Sequence, residues 1–171
     1  MPTRTKTNSD AREANGASEI NATLASAGDL QIRRLPVTAL APLGRKARTH
    51  TRDQIRKIAD SIETFGFCVP LLVDGDNKVL AGHARLAAAK LAGLTQVPVV
   101  HLAHLTDEQK RAFVIAENRL AELAGWDRET LRVELSEMAD LKLGFDLCVI
   151  GFSEPQIDAL VFGSVDAARP N

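Results

Sequence analysis

The sequence predicts an α+β fold, a small mixed sheet carrying helices and followed by a helical C-terminal piece. Three observations predict it. Short apolar runs ("LQIRRLP", "LLV", "KVLA", "QVPVV") have the length of strands. Between them, "TRDQIRKIADSIETFG" and "GHARLAAAKLAG" repeat apolar residues at three- and four-residue steps. After "QVPVVHL", only helical patterns remain.

Taken in order, residues 1–28 are polar and poor in large apolar groups, and are expected to form a disordered arm. "LQIRRLPVTALAPLG" reads as a short strand at a sheet edge, because Pro36 and Pro42 interrupt it. "RKARTH" is a basic loop. The first helix places Ile55, Ile58, Ala59, Ile62 and Phe65 on one face, with Thr51 and Gln54 as a capping box and Gly66 as the left-handed stop. Leu71–Val73 and Lys78–Leu80 flank "DGDN" and form a hairpin. The next helix runs from Gly82 to Leu91, with Leu86, Ala87, Lys90 and Leu91 along a face and Gly93 closing it. "QVPVVHL" is a buried strand. Thr106 with Gln109, Asp127, and Ser153 with Gln156 then open three further helices, and Pro155 is tolerated in the first turn of the last. The expected organisation is an arm over 1–28, a core domain over 29–123, a helical extension over 124–163 and a flexible tail over 164–171.

Composition narrows the function. Of 171 residues, 45% are hydrophobic and 25% charged, as in an ordinary globular chain. No apolar run approaches the roughly 18 residues that span a bilayer. The N-terminus lacks the apolar core of a secretory signal, so a cytoplasmic setting, bacterial or phage-derived, is expected. Cys68 and Cys148 lie far apart and show neither zinc-site nor disulfide-framework spacing. The net charge of −1 hides an asymmetry: 11 Lys/Arg against 5 Asp/Glu up to Lys57, and 4 against 10 from Ala121 onward. The basic half suits nucleic acid or nucleotide phosphates, or is simply a solvated face.

Three clusters can carry chemistry. At "LAGHARLAAAK", Gly82 stands where a strand becomes a helix. Such a corner is a plain turn, or it lets an anion approach the positive helix end. Arg85 could fold back with a planar donor fork, and His83 adds a donor that titrates near neutral pH. Arg45, Lys46, Arg48 and His50 form a second, basic cluster. Glu117 and Asn118 form a third, with oxygen donors suited to Mg²⁺ beside phosphates, or a polar helix face. His101 and His104 are expected to be structural, and Trp126 to be a core or staple residue. No Walker A loop, GxSxG or HExxH motif occurs.

In this order, "RKARTHTRDQIRKIADSIETFGFCVPLLVD", "KVLAGHARLAAAKLAGLTQVPVV" and "LTDEQKRAFVIAENRLAE" resemble the N-terminal domain of the ParB/sulfiredoxin superfamily. With the continuation "GWD…GFDL…GFSEPQIDAL", the form is similar to ParB-like domains found in front of phage and plasmid DNA methyltransferases. The resemblance implies a nucleoside triphosphate (CTP or ATP), with phosphates on Gly82, His83, Arg85 and Arg48, and Mg²⁺ on Glu117 and Asn118. It implies a base-side segment at Gly66, Phe67, Cys68 and Pro70. It also implies a DNA-associated accessory or regulatory role in partition or modification, with DNA or a DNA-modifying partner, and leaves homodimerisation open. The alternative is an enzyme of the same fold: an NTPase, a ParB-like nuclease or a small-molecule kinase. The sequence departs from the family at three places. Partition proteins carry Glu-Arg-Arg after the glycine, where this chain has His83, Ala84 and Arg85. Cys68 and Val69 stand where a Gln-Pro is usual, and only Pro70 remains. The catalytic cysteine of sulfiredoxins is His83 here, so sulfinate reduction is not expected. No methyltransferase motif of the Asp/Asn-Pro-Pro-Tyr type occurs.

Overall fold

A computed structural model describes residues 28, 30–44 and 48–163. The arm expected over 1–28, apart from Gly28, lies outside the described residues, as do Arg45, Lys46 and the tail from residue 164. Among the described residues, the strands are β1 (Ile32–Pro36), β2 (Ala41–Pro42), β3 (Leu71–Val73), β4 (Lys78–Ala81) and β5 (Gln96–His101). The helices among them are α1 (Arg52–Phe65), α2 (His83–Leu91), α3 (Asp107–Glu122), α4 (Arg128–Asp140) and α5 (Glu154–Val161). Short 3-10 turns occupy Val37–Ala39 and Leu147–Ile150. Among the described residues, no helix is long and apolar enough to cross a membrane.

The strands form one mixed sheet in the order β1-β5-β3-β4-β2. β3 pairs antiparallel with β4 and parallel with β5, with Leu71 opposite Val99. The proline-interrupted stretch "LQIRRLPVTALAP" supplies both edges. β1 lies antiparallel to β5, and after the turn β2 lies parallel to β4 on the far side. This matches what proline permits, since an edge strand can go without one ladder N–H.

Side chains alternate across the sheet with the period of two that strand geometry imposes. Leu71, Val73, Val79, Val97 and Val99 meet Leu86 and Ala89 of α2 on one face. Leu80 and Val100 meet Phe113 and Val114 of α3 on the other. The hairpin turn is closed by Asp74, 1% exposed, whose Oδ1 accepts from the amides of Asp76 (2.9 Å) and Lys78 (2.8 Å). Its Oδ2 lies 3.6 Å from Lys110 Nζ, which ties α3 to the hairpin.

Helix ends follow the sequence closely. Thr106 and Gln109 form a full capping box, and Asp127 accepts from the Thr130 amide at 2.8 Å. At α1, Thr51 Oγ1 accepts from the Gln54 amide, but the box is only half built. The Gln54 Oε1 accepts instead from His50 Nδ1 at 3.0 Å. Two further expectations need correction. The buried face of α2 is Ala84, Leu86, Ala88 and Ala89, whereas Lys90 is exposed and Leu91 is 59% exposed. Leu86 and Ala89 join the sheet core, but α2 also packs against α1, and alanines allow that second close approach. Trp126 is not a core residue either. It is 71% exposed and tilts against Phe152 with centroids 6.0 Å apart.

Candidate nucleotide-binding site

Residues from six parts of the chain line one cavity of about 650 Å³. On the apolar face of α1, Ile58 and Ile62 are half-buried and Phe65 is exposed, and all three border this space. The loop Gly66–Val69 continues the rim, the corner Gly82–Arg85 forms the floor, and Val114, Glu117 and Asn118 enter from α3. Arg48 and His50 enter from the basic loop.

At the corner, the geometry requires glycine. Gly82 has φ 95°, and a Cβ placed there would stand 2.6 Å from Leu71 Cδ2 and 3.1 Å from Arg85 Nη2. The first intrahelical bond runs from the Leu86 amide to the Gly82 carbonyl at 2.9 Å, and Gly82 has no side chain to cap the earlier amides. The positive end of α2 therefore opens into the cavity with its donors pointed the same way. Glycine's role at this corner is thus a tight turn, and the same turn leaves the helix end accessible. The two readings of the motif are compatible.

Arg85 completes the corner. Its Nη1 donates to the Val69 carbonyl at 3.0 Å, linking α2 to the loop after α1. Burial lowers its pKa from the ordinary value and the Glu117 carboxylate opposes that shift. A guanidinium remains charged throughout the neutral range. On the facing side, Asn118 Nδ2 donates to the Val114 carbonyl at 2.7 Å, which leaves Oδ1 turned toward Arg48. Arg48 Nη1 donates to that oxygen at 3.1 Å. Among the described residues, the lining thus holds three cations, Arg48, Lys57 and Arg85, against one carboxylate, Glu117. That balance favours an anion.

Most of the expected residues meet here: Arg48, Gly66, Phe67, Cys68, Gly82, His83, Arg85, Glu117 and Asn118 all line the cavity. Pro70 does not. It lies half-buried just before β3, outside the lining. Cys68 donates its thiol to the Phe65 carbonyl at 2.9 Å. Elsewhere, His101 Nε2 pairs with Asn77 Oδ1 at 2.9 Å, away from the cavity. Sequence reasoning missed Lys57 and the turn Val149–Gly151, which also line the space. A signal was present in the apolar "LCVI" between Asp146 and Gly151 in an otherwise acidic stretch.

A family model described as the ParB N-terminal domain matches residues 21–119. The chain belongs to this family. Among curated relatives of this ParB-family chain is the "ParB-like nuclease domain-containing protein YnaK" of Escherichia coli. It is 40% identical over 82 residues, covering 48% of this chain and 94% of that protein. The "Probable chromosome 2-partitioning protein ParB" of Deinococcus radiodurans is 41% identical over 91 residues, covering 51% of this chain but 31% of the relative. The chain thus spans nearly all of the former and about a third of the latter. In fold it is similar to the C-terminally truncated chromosome-partitioning protein ParB of Caulobacter crescentus complexed with CTP-γ-S. The TM-score is 0.57 at 22% identity, covering 78% of this chain and 71% of that one.

Proposed function

We propose that this ParB-family chain binds a nucleoside triphosphate, CTP or ATP, with its phosphates at the start of α2, and acts as a nucleotide-controlled accessory module in DNA partition or DNA modification. The observation that carries this reading is the open N-terminus of α2, held by Gly82 and flanked by Arg85 and Arg48 in a cavity of about 650 Å³. That volume is in the range of small-molecule sites. Backbone amides and a helix dipole bind phosphate without sequence-specific side chains, and Arg85 adds a planar donor fork. The similarity to a ParB complexed with CTP-γ-S and to partition proteins supports the nucleotide class and the setting.

Mg²⁺ fits the donors on α3. Glu117 supplies a carboxylate, and Asn118 is anchored so that its oxygen, not its amide nitrogen, is turned away from its own helix. Mg²⁺ favours few protein oxygens together with phosphates and water. When bound beside Glu117 and Asn118 it would neutralise phosphate charge. The phosphates would draw Arg48 from Asn118, releasing the oxygen for the metal. Nucleotide and metal would then favour one arrangement of Arg48 and α3 over others, which is the differential binding that any switch requires.

Calorimetric titration with CTP, ATP and GTP in Mg²⁺ tests this, repeated with Glu117→Ala and Arg85→Ala. Saturable binding of at least one nucleotide, weakened about tenfold or more in both variants, supports it. Wild-type binding with no loss in either variant would place the ligand elsewhere. A hydrolytic second reading rests on His83 and Glu117 bordering the same cavity as candidate proton acceptors. Phosphate release with and without duplex DNA separates it from a pure binding module.

A further inference from the structure

We propose that the wall formed by α1 and the turn Leu147–Ile150 is the nucleobase subsite, and that Lys57 and the Gly151 carbonyl read the polar edge of the base. This rests on the nucleotide reading above and deepens it. Of this wall, α1 lies within the residues that match the family model, whereas the turn lies beyond them, since the match ends at 119.

Three contacts hold the turn on α1. Phe145 meets Phe65 edge-to-face, with centroids 5.3 Å apart and planes at 78°. The turn itself packs along α1. Lys57 Nζ donates to the Gly151 carbonyl at 3.1 Å. The turn is locally built to stay in place: Asp146 caps it by accepting from the Cys148 amide at 2.8 Å, and Gly151 leaves it at φ 104°. Such a segment forms a wall of fixed shape.

The chemistry of that wall differs from that of the corner. Ile58 and Ile62 of α1 face the same space as Val149 and Ile150 of the turn, and none of these can hold a phosphate. A nucleobase offers two apolar faces and a polar edge. Aliphatic side chains from two elements suit the faces. At their margin, the Gly151 carbonyl has a second lone pair for a base N–H, and Lys57 has further protons for a ring nitrogen or carbonyl. Lys57 is already committed to Gly151, so it acts beside the base and leaves the phosphates to Arg48 and Arg85.

The test uses the full chain and two substitutions, Ile150→Ala and Lys57→Met, with melting curves to confirm folding. CTP, ATP, GTP, UTP and inorganic triphosphate are titrated in turn. The expected result is that Ile150→Ala weakens nucleoside triphosphates by about fivefold relative to inorganic triphosphate, from lost apolar contact. Lys57→Met, at a half-exposed position outside the core, changes the ranking of the four bases. If both variants keep the wild-type affinities and ranking, the subsite assignment falls while the nucleotide reading stands. If the wild type binds no nucleoside triphosphate, both fall.

Discussion

The corner at Gly82 and the far half of α3 face the same ligand space, yet they are held very differently. The corner is fixed by a left-handed glycine against Leu71, an Arg85 bond to the preceding loop, and strands buried on both faces. α3 is well anchored only at its start, by its capping box and the Asp74–Lys110 contact. It contains no fully buried residue, and from Arg119 to Thr130 every residue is exposed. Glu117 and Asn118 stand where the helix leaves the core. The half of the site proposed to hold the anion is therefore preformed, and the half proposed to hold the metal is kept by surface contacts such as Arg48 to Asn118. Preformed donors bind with little ordering cost, whereas groups on a weakly held element can respond to what binds.

The largest expected effect lies at the corner. Gly82→Ala combines a strained backbone with a Cβ inside Leu71, and is expected to cost about 3 kcal/mol in denaturant unfolding. Combining it with Leu71→Ala should cost less than the sum of the two, because the clash is then relieved. Asp74→Ala leaves two hairpin amides and Lys110 without their acceptor, and is expected to cost about 2 kcal/mol by the same measurement. A smaller effect is expected at Asp127, whose carboxyl is held below its ordinary pKa by the Thr130 amide. Its folded pKa is depressed, so its contribution is full above the unfolded value of about 3.9 and is lost as pH falls through the folded one. Asp127→Ala should therefore lower Tm at neutral pH, by an amount that shrinks as the pH falls below about 3.9. The smallest effect is expected on the exposed part of α3. Leu120→Ala should stay within about 0.5 kcal/mol of wild type, and a loss like that at Gly82 would show that this half is packed after all.

Much of this was legible in the residues. Strand and helix order, the stop at Gly66 and the caps at Thr106 and Asp127 are local signals, and local hydrogen bonds realise them. What was not legible depends on partners distant in sequence. That one proline-rich stretch would line both sheet edges follows from pairing with β5 and β4, which no local pattern encodes. Leu91 looked like a core residue by spacing, but α2 is wedged between the sheet and α1, and alanines fill that gap better. Trp126, at a helix entrance, was expected as a core or staple residue, yet it stands in an exposed segment and meets Phe152 only at a tilt. Gln54 fitted a capping box until His50 competed for its oxygen. At the site, the motif order brought together Arg48, Gly82, Arg85, Glu117 and Asn118. The reach of Lys57 and Gly151 into the same space is a tertiary contact between residues 94 positions apart.

The most direct measurement is an amide NMR titration of the isotopically labelled chain with CTP, ATP and inorganic triphosphate in the presence of Mg²⁺. Phosphate at the start of α2 predicts that the Ala84 and Arg85 amides shift most, with all ligands that bind, and that Arg85→Ala suppresses those shifts. Binding that leaves both amides unmoved would contradict it.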